Sequence, residues 1–516
     1  MNKLDLTLRI RSLVMRTKDF LADVLCPQWR IMFIITGTFF LYEAIVSVDP
    51  GQGKLLWSQG FVSILYSCLS MTALWIASRV TMPRWVATTW ERIPLWLHWR
   101  GWRGMLTIGI LLIAYRSISG QIPDAIRGKY HNDAIAFIHL DADILLKGQN
   151  PYTDNNAFWS ASFRWPQAFA TPLFDSTAFG SDPLLYPSAK KLGRILHDQT
   201  VNVTHRNNDF DPATVHNYPA GIIWLVLPFV WAGSHSVVWL NIILMIALIA
   251  LIVSRAPPST KIPLAVALLA NSAFILYGLF VNFDIAAVVC VVAAWHWHDR
   301  LKVSSLLIGF ACAVKQLAWF IAPFYLLDVL RREGWRKALE RSVWIGVGFL
   351  VPNLPFIIAS PRAWLHSILI PMTDPLFPLG FGPIALALGR VIPFGTPKDW
   401  TLLVLTVFAL LLIYQWRRKD ITADAMVLAI IPLWFSWRSP MNYFALIPAM
   451  VAWIVVQRMV AEQKQPQVQV APEVHMEQPL ETINLHQKEY SNKFATKKPS
   501  TAAKSEKSLL PIGKER

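Results

Sequence analysis

Charge-free apolar stretches recur along the chain at 55–78, 262–283, 343–361, 400–416 and 439–457. None alternates apolar and polar positions as a half-buried strand would. A helix needs roughly 20 apolar residues to cross hydrocarbon, and only helices or closed barrels satisfy their backbone there, so the pattern predicts an all-α polytopic membrane protein of about 10–13 transmembrane helices.

The polar intervals divide the chain. Residues 1–29 interleave Arg9, Arg11, Arg16 and Lys18 with apolar positions and are expected to form a cytoplasmic amphipathic segment. No cleavable leader precedes the first apolar stretch, which is expected to act as an uncleaved anchor. Residues 30–104 read as a transmembrane hairpin turning at Asp49-Pro50-Gly51, followed by an interfacial belt that alternates Trp with Arg. The main membrane domain is expected over 105–457. Its first loop, 121–217, is polar, punctuated by proline and set with aromatics such as Trp159 and Trp165, which predicts short interfacial helices. Residues 458–516, rich in Gln, Lys, Glu and Pro without apolar periodicity, are expected to be a disordered cytoplasmic tail.

Orientation follows from the basic clusters. Arg331-Arg332 with Arg336-Lys337, and Arg417-Arg418-Lys419, belong on the cytoplasmic side. The spans at 343–361 and 423–437 must then exit, leaving 360–379 and 437–443 on the same outer side as the long loop. The run 218–254 allows two readings. Two spans would put Arg255 and Lys261 outside; a short re-entrant helix and one span would put them inside.

Composition removes some function classes. The chain has 516 residues, is 54% hydrophobic and carries a formal charge of +16. That charge flanks spans instead of forming one face, which argues for membrane topology and against nucleic-acid binding. Four scattered cysteines in no paired spacing point to neither disulfides nor zinc.

Chemistry concentrates in the first loop. The segment 131–152 carries Asp133, Asp141 and Asp143 with His131 and His139 on a predicted helix, stopped by Lys147-Gly148 before the turn Asn150-Pro151-Tyr152. Helical phase puts Asp141 near the face of Asp133 and turns Asp143 toward solvent. Further polar residues fall at the outer ends of later spans: Asn282 and Asp284, Lys315 and Gln316, then Arg438, Asn442 and Tyr443. An ionisable group within a span costs roughly 2.5–3.5 kcal/mol on insertion scales and is a functional hypothesis by default. Lys315 has two readings, an internal ion pair with Asp284 or a cation reserved for an anionic head group. Arg438 reads either as an interface anchor or as a second such cation. His197, His205 and His216 match no compact metal-ligand spacing and read as polar loop surface; no metal site is predicted.

In order and spacing these motifs resemble the polytopic glycosyltransferase-C superfamily, more narrowly the bacterial mannosyltransferase-type family that uses polyprenyl-phosphate sugars. The likeness rests on Asp133 followed by Leu145-Leu146-Lys147-Gly148-Gln149-Asn150-Pro151-Tyr152. It continues through Tyr218-Pro219-Ala220, where the family often has a second proline, then Lys315-Gln316 with Pro323, and Arg438-Ser439-Pro440-Met441-Asn442-Tyr443. The resemblance implies a plasma-membrane enzyme with its active site on the extracytoplasmic face. It would transfer a mannose-like hexose, with inversion, from a polyprenyl-phosphate sugar to a glycan or glycolipid acceptor. Asp133 would be the general base, with Asp141 a possible neighbour. Lys315, Arg438 and Arg116 would bind the donor phosphate. Tyr152, Tyr218, Asn282, Asp284, Gln316, Asn442 and Tyr443 would support the pocket. No cofactor is implied. A transporter or flippase without glycosyl transfer is the alternative, although no inverted repeat is visible.

Overall fold

The computed structural model describes residues 29–48, 55–79, 100–153, 216–373, 377–418 and 420–464. The described residues up to Gln463 form one compact unit. The expected N-terminal amphipathic segment, most of the Trp/Arg belt, His197, His205 and the tail beyond 464 lie outside the described residues.

The described chain is helical almost throughout. A hairpin of α1 (Trp29–Val46) and α2 (Trp57–Ala77) is followed by α3 (Arg100–Ser119) and the short α4 (Ile122–Ile126). Next come the loop helix α5 (Asp133–Leu146), then α6 (Gly221–Trp231) and α7 (Val238–Arg255). After α8 (Lys261–Leu269) and α9 (Ser272–Leu276) the chain makes a π-turn, Tyr277–Val281. The bundle continues through α10 (Asp284–His296), α11 (Leu301–Val314), α12 (Leu317–Glu333), α13 (Trp335–Ala359) and α14 (Pro361–Thr373). Last come α15 (Ile384–Leu388), α16 (Pro397–Arg417), α17 (Ala425–Leu428), α18 (Ile431–Trp434), α19 (Met441–Ala445) and α20 (Ile447–Lys464). A minimal parallel ladder pairs β1 (Leu379–Gly380) with β2 (Arg438–Ser439).

Six of these helices are long and apolar enough to cross a membrane, and a bent pair, Pro258–Leu269 with Ser272–Val281, adds a seventh. Four shorter apolar helices accompany them. Two of the four, α10 and α11, have 13 and 14 residues, about 20 Å at 1.5 Å per residue against a hydrocarbon core of about 30 Å. They lie in the interior, with Val288, Val291, Ile308 and Ala311 fully buried, so protein instead of lipid surrounds most of their length. Small residues allow this density. A Cβ on Gly309 would lie 2.9 Å from the Ile345 carbonyl carbon, and one on Gly348 would lie 3.1 Å from the Gly309 Cα. The backbones of α11 and α13 therefore touch, as small-residue crossings in membranes permit.

The helix ends sort into two faces. At one, Arg255 meets His296 at 3.1 Å, Arg341 pairs with Glu333 at 2.8 Å, Arg458 with Asp424 at 2.7 Å, and Arg30 with Glu462 at 2.6 Å. The other face carries α5, the 216–220 segment, Asn282–Asp284, Lys315 and the β1–β2 ladder. Helix α7 connects them: Asn241 near its start donates to the carbonyls of Leu279 and Asn282, while Arg255 ends it on the arginine face.

Several boundaries differ from those read in the sequence. The run 218–254 folds as one short and one long helix, α6 and α7. Helix α6 has only 11 residues, about 16 Å, and the chain meets first-loop residues both just before it and again at the start of α7. Tyr152 donates to the Tyr218 carbonyl, and the Val237 amide donates to the Tyr130 hydroxyl. Arg255 therefore lies opposite the first loop. The stretch 423–437 is broken into α17 and α18 and is not one continuous span. Helix α20 runs through Lys464, past the expected tail start at 458, because the Arg458 and Glu462 ion pairs fasten that turn to the bundle. The hairpin is packed into the main body: Ser63 Oγ donates to the Phe381 carbonyl at 3.4 Å, and a Cβ on Gly60 would meet the Ala385 carbonyl at 2.6 Å.

Candidate active site

The polar cluster is built from chain breaks. Helix α5 opens at Asn132, whose side chain accepts from the Ala134 amide, and this puts Asp133 in its first turn, buried. A carboxylate there faces the positive end of the helix, which favours its charged form. Asp284 begins α10 in the same way after the extended residue Asn282, whose side chain accepts from the Phe283 amide at 2.8 Å. Lys315 is a single extended residue between α11 and α12, with neither Pro nor Gly to explain the break; its inward contacts hold it.

Those contacts are specific. Lys315 Nζ lies 3.1 Å from Asp284 Oδ1, both side chains almost fully buried, and 3.8 Å from the centre of the Tyr218 ring. Asn442 donates to the other Asp284 oxygen. The Tyr218 phenol is acted on by Asp133, Asp284 and Arg438; burial first, and then the two carboxylates, push it well above the usual phenol range. Tyr443 lies within electrostatic reach of Lys315, Asp284, Tyr218 and Arg438. Arg438 is half-buried, and its guanidinium donates to the Phe377 carbonyl at 2.8 Å. Asp133, Tyr218, Asn282, Asp284, Lys315, Arg438, Asn442 and Tyr443 thus form one constellation from five stretches of chain.

The segment carrying Tyr218 is clamped on several sides. Tyr152 Oη donates to the Tyr218 carbonyl at 2.8 Å, and Gln316 Nε2 donates to the Asn217 carbonyl at 2.5 Å. The Ala220 amide donates to Asn353 Oδ1 at 2.9 Å. A fourth clamp is a buried pair, Asp141 Oδ2 to His216 Nδ1 at 2.5 Å, with the Tyr152 ring edge-on to the imidazole at 4.9 Å. Burial raises the Asp141 carboxyl above its ordinary value, and His216 opposes that shift.

Two residues depart from the sequence reading and one agrees with its phase. Arg116 is exposed on α3 and shares none of these contacts among the described residues; its helix presents it to the outside of the bundle. His216, read as polar loop surface, is buried against Asp141, and the turn that follows α5 passes through Gly148 at φ +76°. A side chain at Gly148 would be strained whatever the space around it. Asp143 pairs with exposed Lys147 at 2.7 Å on the solvent side. Lys315 is paired with Asp284, as one of its two readings had it, and still faces Tyr218. Asn353 and Asn241 went unnoticed in the sequence. Each is a lone amide in an apolar run, and that was the available signal. Among the described residues no three His, Cys, Asp or Glu side chains gather into a metal site.

A multi-span helical bundle with a buried ionic cluster at one end is the architecture of a membrane-embedded enzyme or transporter. Residues 216–436 match Glycosyltransferase family 87, a family of the glycosyltransferase-C type. The chain is a polytopic glycosyltransferase-C membrane protein and a glycosyltransferase, which decides against the transporter alternative. The matched stretch contains Tyr218, Asn282, Asp284, Lys315 and Gln316; Asp133, Arg438, Asn442 and Tyr443 lie outside it. No curated protein and no solved structure matches the chain.

Proposed function

We propose that this glycosyltransferase moves a mannose-like hexose from a polyprenyl-phosphate sugar to an acceptor hydroxyl on the extracytoplasmic face, with inversion. The observation that carries the reading is the convergence of Asp133, Lys315 and Arg438 around the Tyr218 and Tyr443 rings. In this reading the acceptor oxygen bonds to the anomeric carbon as the carbon–phosphate oxygen bond breaks. Asp133 takes the hydroxyl proton, and polyprenyl phosphate departs with the electron pair. A carboxylate in hydrogen-bond reach is worth roughly 10²–10⁴-fold. Arg438 and Lys315 face the charge that grows on the leaving phosphate, where fixed cations in a poorly hydrated site act strongly. Asp284 and Asn442 hold Lys315 in place, and Asp141 braces the Tyr218 segment through His216.

The outer-face assignment is supported by the opposite face, where Arg255, Arg331, Arg332, Arg417, Arg418 and Arg458 collect at helix ends, as cytoplasmic ends do. The test is transfer of radiolabelled sugar from a polyprenyl-phosphate donor by purified protein. Asp133→Asn should lower the rate by roughly 10²–10⁴-fold and leave donor binding intact. Full activity in that variant would remove Asp133 as the base, and retained configuration in the product would rule out a single displacement.

A further inference from the structure

On the far side of the bundle the N-terminal hairpin leaves a gap. Between α1, α2, α17 and α20 lies a cavity of about 150 Å³, walled by apolar side chains including Leu41, Met71, Leu428 and Val451. Phe381 and Phe444, edge to face at 4.9 Å, lie at its deep end. Its other end carries Arg79, Arg418, Asp420, Asp424 and Arg458, on the arginine face.

Size and depth restrict what can enter. An apolar cavity of about 150 Å³ takes up a benzene-sized molecule, so this one encloses a short segment of a hydrocarbon chain, the rest lying along its open side, and not a polypeptide helix. Lining residues on α20 run from Ile447 to Arg458, about 16 Å at 1.5 Å per residue. That is about half of a 30 Å hydrocarbon core, the reach of a lipid from a single leaflet. A polyprenyl chain would overrun the Phe381–Phe444 end.

The mouth carries three guanidinium groups, those of Arg79, Arg418 and Arg458. Arg418 grips Asp420 through two bonds at 2.9 and 2.8 Å, and Arg458 holds Asp424 at 2.7 Å. Arg79 stacks on Trp75 at 3.9 Å and lies within electrostatic reach of Asp420, with no carboxylate at ion-pair distance among the described residues. A guanidinium fixed in this way suits a phosphate oxygen.

We propose that this cavity is a binding site for one anionic phospholipid of the leaflet on the arginine face. One acyl chain would lie between the hairpin and α20, with its phosphate on Arg79. The test uses the full chain, equilibrated with mixed phosphatidylglycerol and phosphatidylcholine in nanodiscs, with the lipids retained after detergent extraction counted by native mass spectrometry. Wild type should keep one phosphatidylglycerol in preference to phosphatidylcholine. Leu428→Trp, which fills the cavity, should cut retention about tenfold. Met71→Trp fills it from the opposite wall and serves if the first variant melts early. Arg79→Gln should abolish the preference for the anionic head while leaving chain retention. Equal retention of both lipids by wild type, retention unchanged by both tryptophans, or displacement of the lipid by polyprenyl phosphate would each overturn the proposal.

Discussion

On the arginine face, Arg418 and Asp420 pair with their side chains 46% and 59% exposed, whereas Lys315 and Asp284 pair with 3% and 2% exposed. The first pair is local in sequence, and water shares in its stabilisation. An exposed pair of this kind contributes about 0–1 kcal/mol, so its value to the protein is its sign, which sets topology. The second pair joins the first residue of α10 to the extended break between α11 and α12 in the interior, where desolvation of both ions offsets much of their attraction. Stability alone gives little reason to keep it. Its surroundings, Tyr218, Asn442 and the neighbouring Arg438 and Asp133, make sense as a site that must present charge to a substrate.

That contrast can be broken by experiment. Lys315→Met, which strands Asp284, should cost about 3–5 kcal/mol of stability in thermal or denaturant unfolding. Adding Asp284→Leu should return most of that loss while sugar transfer stays absent. Return of transfer in the double variant would make the pair purely structural. Gly309→Val, which pushes α11 off α13 and so moves Lys315, should cost about 1–3 kcal/mol by the same unfolding measurement. No change there would mean that the crossing can relax.

The Asp141–His216 pair gives a pH test. Burial holds the Asp141 carboxyl above its usual value, so the folded chain binds that proton more tightly than the unfolded chain does. Its stabilisation is then complete below the unfolded value of about 4 and lost as pH rises through the folded value, at about 1.4 kcal/mol per unit of difference. Asp141→Asn should remove that part of the slope in a melting series from pH 4 to neutrality, and an unaltered slope would mean the carboxyl does not titrate there. The smallest effect belongs to the arginine face. Arg418→Gln should shift stability by less than about 1 kcal/mol, and a larger loss would mean the two faces are not so different.

Periodicity and charge made much of this protein legible. Charge-free runs located α2, α16 and α20, because hydrocarbon tolerates only a self-satisfied helix. The phase of α5 separated buried Asp133 and Asp141 from half-buried Asp143 on the solvent side, because a helix has a fixed repeat. Ionisable residues in apolar surroundings, Asp284 and Lys315, were visible because burying them is costly. Other features depended on neighbours distant in sequence. The break at Lys315 carries no Pro or Gly, and only Asp284 and Tyr218 explain it. His216 looked like any loop histidine until the fold set it on Asp141. Length did not reveal that α6 turns back to the first loop, since an apolar helix in protein and one in lipid have the same composition. The lipid-sized cavity has no sequence signature at all, because it is the space left where helices from both ends of the chain fail to meet. Sequence alone determined the helices, the basic clusters at their ends and which polar residues are candidates for chemistry. The tertiary structure decided which of those residues face one another, because burial makes each charge depend on partners that the local chain does not supply.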